Sequence, residues 1–282
     1  MRKIFFDEKL EAEFLQKGYV SMPFLSAEEI TYILEELAKI SSGIDFFPDG
    51  KEDSAPTFHA TWLETDADYK RRTYNLVLEV FSSHIKDVLA DYKILSGNFI
   101  IKPPGKGGFG PHQHFKQIEK IEDTTLTLWC PLVDVDETNG TIHVVEHSHR
   151  LVSNLLATDY QLFFKDFQDE LIKRYSKPIR MKVGEVLFFD DNLIHWSPDN
   201  PSSNPRSVIQ AICIPSESKS VLFYPVPDIP NLFEVFETNS EFFIKNKIVE
   251  TFERPTDLSR LGFVEYKNQT ITEEEFIELL EK

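Results

Sequence analysis

Thr124-Thr-Leu-Thr-Leu-Trp-Cys-Pro-Leu-Val-Asp-Val-Asp-Glu-Thr-Asn-Gly-Thr-Ile-His-Val-Val145 holds two short apolar runs, 124–132 and 141–145, broken by a polar stretch that ends in Asn139-Gly140. Each run has strand length and is rich in β-branched and aromatic residues. Asn-Gly is a strong hairpin-type turn signal. Working outward, Leu95–Lys102, Glu185–Phe189 and Arg206–Ile214 read as further strands. Several short strands separated by turns predict an antiparallel sandwich or barrel over about residues 94–215. An amphipathic stretch at 152–175 interrupts it as a helical insert.

The flanks have another texture. Residues 1–45 read as helical, with Ser26-Ala-Glu-Glu-Ile30 as a cap and acidic first turn and Ile30, Ile33, Leu34 and Leu37 at helical spacing. Residues 44–62 read as a loop, and 66–92 as a second helical segment with Leu76, Leu78, Val80 and Phe81 facing a core. After Pro215 the chain is aromatic, acidic and irregular, and it ends in a capped acidic helix from Thr272. With no convincing linker or repeat, residues 1–282 are expected to form one domain: an N-terminal helical region 1–93, the β core 94–215, and a C-terminal extension or lid 216–282.

Thirty basic against 47 acidic residues give a net charge of −17. Such a surface repels phosphate backbones and anionic lipid heads, which excludes nucleic-acid and membrane-surface binding as primary functions. No apolar run has the roughly 20 residues of a membrane span, and the acidic start reads as no secretory signal. Two cysteines, Cys130 and Cys213, fit a reducing cytoplasm. Cys130, inside a strand after Trp129, reads as a small buried side chain rather than a nucleophile.

Eight histidines carry the chemistry: 59, 84, 112, 114, 143, 147, 149 and 195. His59 and His84 stand alone and read as structural. His112-Gln-His114 follows the glycine-rich Pro103-Pro-Gly-Lys-Gly-Gly-Phe-Gly-Pro111 and enters a strand-like stretch. Residues i and i+2 of a strand share a face, so two imidazoles there can chelate one ion. His195, past the Phe188-Phe-Asp-Asp-Asn-Leu-Ile194 run, is a candidate third ligand. Imidazole suits Fe, Zn, Cu and Ni, so the spacing leaves the metal open. His147-Ser-His149, with His143 before it, is a competing cluster; its bland alternative is a rim turn in which ring nitrogens bond backbone carbonyls. The glycine loop lacks phosphate-loop spacing and reads as a flexible rim. It is expected to cover the barrel mouth together with tail aromatics Phe223, Tyr224, Phe233 and Phe236.

Together these segments resemble the phytanoyl-CoA dioxygenase family, non-haem Fe(II), 2-oxoglutarate-dependent oxygenases on a double-stranded β-helix (jelly roll, cupin-like) with helical decoration. Phe14 to Ile30 is similar to the family's opening, Leu128 to Arg150 to its central signature, and Gly184 to His195 to the strand bearing its distal histidine. The resemblance implies His112 and His195 as iron ligands. It also implies Arg206, eleven residues after His195, as the arginine that grips the far carboxylate of 2-oxoglutarate. Ser197, Trp129 and Asn98 are implied as its helpers. Lys102, just before the glycine loop, is a candidate contact to a polyanionic substrate.

The family's motif is His-x-Asp, and this chain has His114 at the acidic position. Glu119, Glu122 and Asp123 follow without the family's spacing. Three readings stand: His114 is a third neutral ligand, His114 has left the metal, or catalysis is lost. The functions expected are therefore a dioxygenase that hydroxylates a small metabolite with dioxygen, a three-histidine iron dioxygenase independent of 2-oxoglutarate, or an inactive binding protein. Nothing in the sequence reports oligomeric state.

Overall fold

The structure is a computed structural model that describes residues 2–47, 57–152, 154–155, 162–247 and 254–280. Helix α1 (Glu8–Lys17) starts at Asp7, whose carboxylate accepts from the Lys9 and Leu10 amides, and stops at Gly18, where φ is 86°. A left-handed glycine at this place ends a helix at little steric cost. Strand β1 (Tyr19–Pro23) follows at once. Helix α2 (Ala27–Ile40) has a full capping box between Ser26 and Glu29. Strand β2 (His59–Ala60) precedes the long helix α3 (Ala67–Val88), capped by Asp66.

The core strands are β3 (Tyr92–Lys102), β4 (Phe109–His112), β5 (Leu126–Pro131) and β6 (His143–Val145). After helix α4 (Gln168–Tyr175) come β7 (Ser176–Pro178), β8 (Glu185–Asp190), β9 (His195–Ser197) and β10 (Arg206–Pro215). They build two antiparallel sheets, one in the order β1-β8-β5-β10-β3-β2 and one in the order β4-β9-β6-β7. This is the double-stranded β-helix.

The large sheet is buried on both faces, which is why its strands read as continuous apolar runs rather than alternating ones. On one face Leu126, Leu128, Cys130, Val186, Phe188, Ile209 and Ala211 pack under the helices through Ile33, Leu37, Val77 and Phe81. On the other, Ile100, Trp129, Leu187, Phe189 and Val208 meet Val144, Ile179 and Met181 of the smaller sheet and its flanks. Cys130 is fully buried, and burial pushes its thiol pKa up, as expected of an inert side chain.

Four expectations need correction. Residues 1–45 are not all helical: Gly18 releases the chain into β1, which pairs with β8 from Tyr19↔Phe189 to Pro23↔Glu185, and β2 likewise joins β3 at the other edge. Asn139-Gly140 does not close a hairpin, because β5 and β6 lie in different sheets; the turn carries the chain across the barrel. The described part of the insert 152–175 is helical only from Lys165, with residues 153 and 156–161 outside the description. The tail is not irregular: β11 (Ser220–Pro225), β12 (Leu232–Thr238) and β13 (Arg260–Glu265) form a third sheet, with helices α5 (Ser240–Lys245) and α6 (Glu273–Leu280). Its aromatics serve that sheet, for Phe223 and Phe233 pack with Ile121, Leu155, Val221 and Val235.

Candidate metal centre

Strands β4 and β9 pair antiparallel with His112 opposite His195. Cross-strand partners place their side chains together on one face, and the two ring centroids are 4.1 Å apart. His114, two residues past His112, is drawn in by its own amide, which donates to the Asp191 carbonyl at 2.8 Å. Its ring lies 5.5 Å from that of His112 and 4.7 Å from that of His195. One ligand nitrogen from each of the three falls within 4.8 Å of the others. Among the described residues no carboxylate joins the group, Glu119, Glu122 and Asp123 included.

Each ring's Nδ1 is already engaged. His112 Nδ1 donates to the Gly110 carbonyl at 2.9 Å and His195 Nδ1 to the Leu193 carbonyl at 2.8 Å. His114 Nδ1 donates to the Asp191 carboxylate at 2.9 Å, and Thr127 Oγ1 donates to the same oxygen at 2.7 Å. A ring that donates through Nδ1 keeps its Nε2 lone pair free, the tautomer a metal needs. Burial, then the neighbouring ring of His114, pushes the His112 pKa down to about 3, and the same pair of effects, with His112 added, lowers that of His195. Both are therefore neutral at ordinary pH and need lose no proton to bind a cation. The donor set fits a borderline metal ion such as Fe(II).

Arg206 opens β10 in register with Lys102 of β3. Both are 2% exposed. The guanidinium lies over the Trp129 ring, 5.3 Å from its centroid, and its Nε and Nη1 have no hydrogen-bond partner among the described residues. Burial lowers its pKa to about 9. Burial, then the charge of Arg206, brings Lys102 to about 6. Lys102 Nζ donates to Ser197 Oγ at 2.7 Å and to the Pro198 carbonyl at 2.6 Å. Thus Ser197 is held by Lys102. The Arg206 guanidinium is ion-paired with no described carboxylate. Orphaned buried N–H groups on a cation are costly unless a ligand completes them, and a carboxylate fits the guanidinium fork.

Asn98 pairs with Gln210, and Gln210 with Trp129, in one row across β3, β10 and β5. The buried Gln210 Oε1 has no partner among the described residues. Asn98 also lines a pocket with Ser96, Trp62, Lys70, Tyr74 and Phe243. The structure thus brings the three histidines together, and Arg206 with Trp129 and, through Lys102, Ser197; Asn98 shares the row of Trp129, four residues along β3 from Lys102.

Asp191, Thr127, Lys102 and Gln210 complete the surroundings, and sequence reasoning gave only Lys102 any role. The signals for the others were a second aspartate ending the apolar run Val186–Phe189 and a glutamine inside the apolar run Val208–Ile214. The glycine loop is tied rather than loose. The Gly105 amide donates to the Asn200 carbonyl, and that of Gly108 to Asp199 Oδ1. Gly107 has φ 94°, and a Cβ there would stand 2.9 Å from Lys102 Cγ, so the loop is seated directly on that lysine.

The other histidines are structural. His147 Nδ1 donates to the Gln16 carbonyl at 2.7 Å and His149 Nε2 to the Leu15 carbonyl at 3.3 Å, at the end of α1. His143 stacks on Trp196 instead of joining them. His59 bonds the Tyr69 hydroxyl and His84 the Glu29 carboxylate.

A jelly roll in which His112 of β4, His114 just past it and His195 of β9 converge, with a buried arginine opening β10, defines a metal-dependent class of protein. The sequence matches the phytanoyl-CoA dioxygenase (PhyH) family over residues 14–208, and the chain belongs to that family. It is 27% identical to a phytanoyl-CoA dioxygenase of Arabidopsis thaliana over 194 residues, a match that covers 65% of this chain and 64% of that protein. Two solved structures share the fold. The non-haem α-ketoglutarate-dependent carbocyclase SnoK of nogalamycin biosynthesis superposes with a TM-score of 0.59 at 18% identity, covering 76% of this chain and 86% of its own. HygX of Streptomyces hygroscopicus, crystallised with nickel and 2-oxoglutarate, gives 0.54 at 13% identity, covering 75% and 88%. No described helix is long and apolar enough to cross a membrane.

Proposed function

We propose that the protein is an Fe(II)- and 2-oxoglutarate-dependent dioxygenase that hydroxylates a small metabolite, with His112, His114 and His195 as the metal ligands. The observation that carries the proposal is the convergence of three histidines within 4.8 Å, each with Nδ1 already hydrogen-bonded. Iron bound there would supply dioxygen activation coupled to oxidation of the 2-oxo acid. Three protein nitrogens leave open positions for a 2-oxo acid and for dioxygen.

The chain's own residues do the rest. Arg206 offers two unpartnered N–H groups to the far carboxylate of 2-oxoglutarate. Trp129 supports the guanidinium from its face. Lys102 donates to Ser197 Oγ beside it and keeps that side chain in place. Asn98 and Gln210 bring amide groups to the row of Trp129 in the same sheet. The glycine loop, pinned to 199–200, closes over Lys102 and limits water near it and Arg206. Arg206 at the family's spacing with free N–H groups favours this reading over a dioxygenase that needs no 2-oxo acid.

Anaerobically purified protein loaded with Fe(II) should convert 2-oxoglutarate to succinate when air is admitted, and Arg206→Ala should not. Iron binding with oxygen uptake but no succinate would replace the proposal with the cosubstrate-independent reaction.

A further inference from the structure

We infer that Asp191 is the carboxylate missing from the ligand set, placed one hydrogen bond behind it, where it acts through His114 as a positioning residue. The inference rests on the three-histidine reading above. Three neutral imidazoles bring no negative charge to a divalent ion, whereas a ligand set with one carboxylate brings one. The structure holds a buried carboxylate at one ring's remove from the site.

The three rings are not held alike. His112 and His195 donate to main-chain carbonyls two residues before each of them, neutral partners that any sequence could provide. Only His114 donates to a carboxylate. Asp191 grips residue 114 twice, because its carbonyl accepts from the His114 amide at 2.8 Å while its Oδ1 accepts from the ring at 2.9 Å. Thr127 Oγ1 bonds the same Oδ1, and the Asp191 amide donates to the Thr125 carbonyl at 3.1 Å. Asp191 is 1% exposed, so the geometry is set by packing as well as by these bonds. A carboxylate that accepts from Nδ1–H fixes the tautomer, aims Nε2 away from itself and raises the basicity of the ring.

The test is a Co(II) titration, read by visible absorption, of the wild-type chain, D191N, H114D and the H114D/D191N double variant. In the wild-type background D191N should weaken Co(II) binding about 10–100-fold. In the H114D background a carboxylate already faces the metal and Asp191 is a second negative charge behind it, so adding D191N should leave affinity unchanged or raise it. A loss of the same factor in both backgrounds would mean that Asp191 only supports the fold and would overturn the inference, as would unchanged affinity in D191N alone. Wild-type protein that binds no Co(II) would instead reject the three-histidine site itself. Nitrogen-15 NMR of the metal-free wild type checks the idea without any variant. His114 should carry its proton on Nδ1, and a proton on Nε2 would overturn it.

Discussion

His112-Gln-His114 and His147-Ser-His149 have identical spacing, and each pair has one more histidine near it in space or sequence. In the first pair the Nδ1 atoms turn back onto Gly110 and Asp191, and the opposite edges of the rings converge with His195. In the second, the rings reach outward to the Gln16 and Leu15 carbonyls that α1 leaves unsatisfied at its end. The first pair sits where two strands meet inside the barrel. The second sits on a helical turn, Ser148–Arg150, with His147 at φ 70°. A histidine has two nitrogens, and what occupies the first determines what the second can do.

The largest effect should separate the pairs outright. His195→Ala, which removes the third of the converging rings, should weaken divalent-metal binding by at least about 100-fold, the upper end for losing a supporting residue. His147→Ala should leave metal binding within error. Metal content after dialysis reads both, and loss of metal in His147→Ala would break the contrast.

Next is Arg206→Ala. It should cost about 2–5 kcal/mol of 2-oxoglutarate affinity by calorimetry while metal affinity holds. Unchanged 2-oxoglutarate affinity would detach the arginine from the site.

The helix-end cluster should show itself in pH dependence. Burial lowers the His149 pKa from 6.5 to about 4. Below 6.5 the unfolded chain takes up the proton and the folded chain resists it, so stability present above 6.5 is lost as pH falls toward 4. The loss from this group is on the order of 3 kcal/mol. Urea melts between pH 7 and 4 should therefore be shallower in pH for His149→Gln than for the wild type. Equal slopes would show that protonation elsewhere governs acid stability.

A smaller effect is expected at Gly18. A side chain there needs the left-handed region at a cost of about 1–2 kcal/mol, and its Cβ would also lie 2.4 Å from His149 Nδ1. Gly18→Ala should lower the melting temperature without touching metal affinity. A stability equal to wild type would mean that the α1 end relaxes freely.

His114→Asp, which returns the family's carboxylate, should hold iron yet lower 2-oxoglutarate turnover, because Asp191 and Thr127 are built to hold an imidazole. Higher turnover in the variant would mean that the parent had lost catalysis.

The sequence by itself determined the class of fold. Strand-length apolar runs from Leu95 to Ile214, capped helices before them and the motif segments were enough, because burial on both faces of a sheet and helix caps are local demands written in residue type. It also determined that His112, His114, His195 and Arg206 were the residues to watch. Local pattern was silent about long-range partners. Residues 1–45 read as helical, and only pairing with β8 made Tyr19–Pro23 a strand. Asn139-Gly140 has the chemistry of a turn, but which sheet receives the next strand depends on the whole barrel. Asp191 looked like any residue at a strand end until the fold carried it 77 positions back along the chain to His114. Two pairs of identical spacing thus became a converging group and a helix end, because a ring nitrogen's role depends on partners that only tertiary packing brings within hydrogen-bond reach.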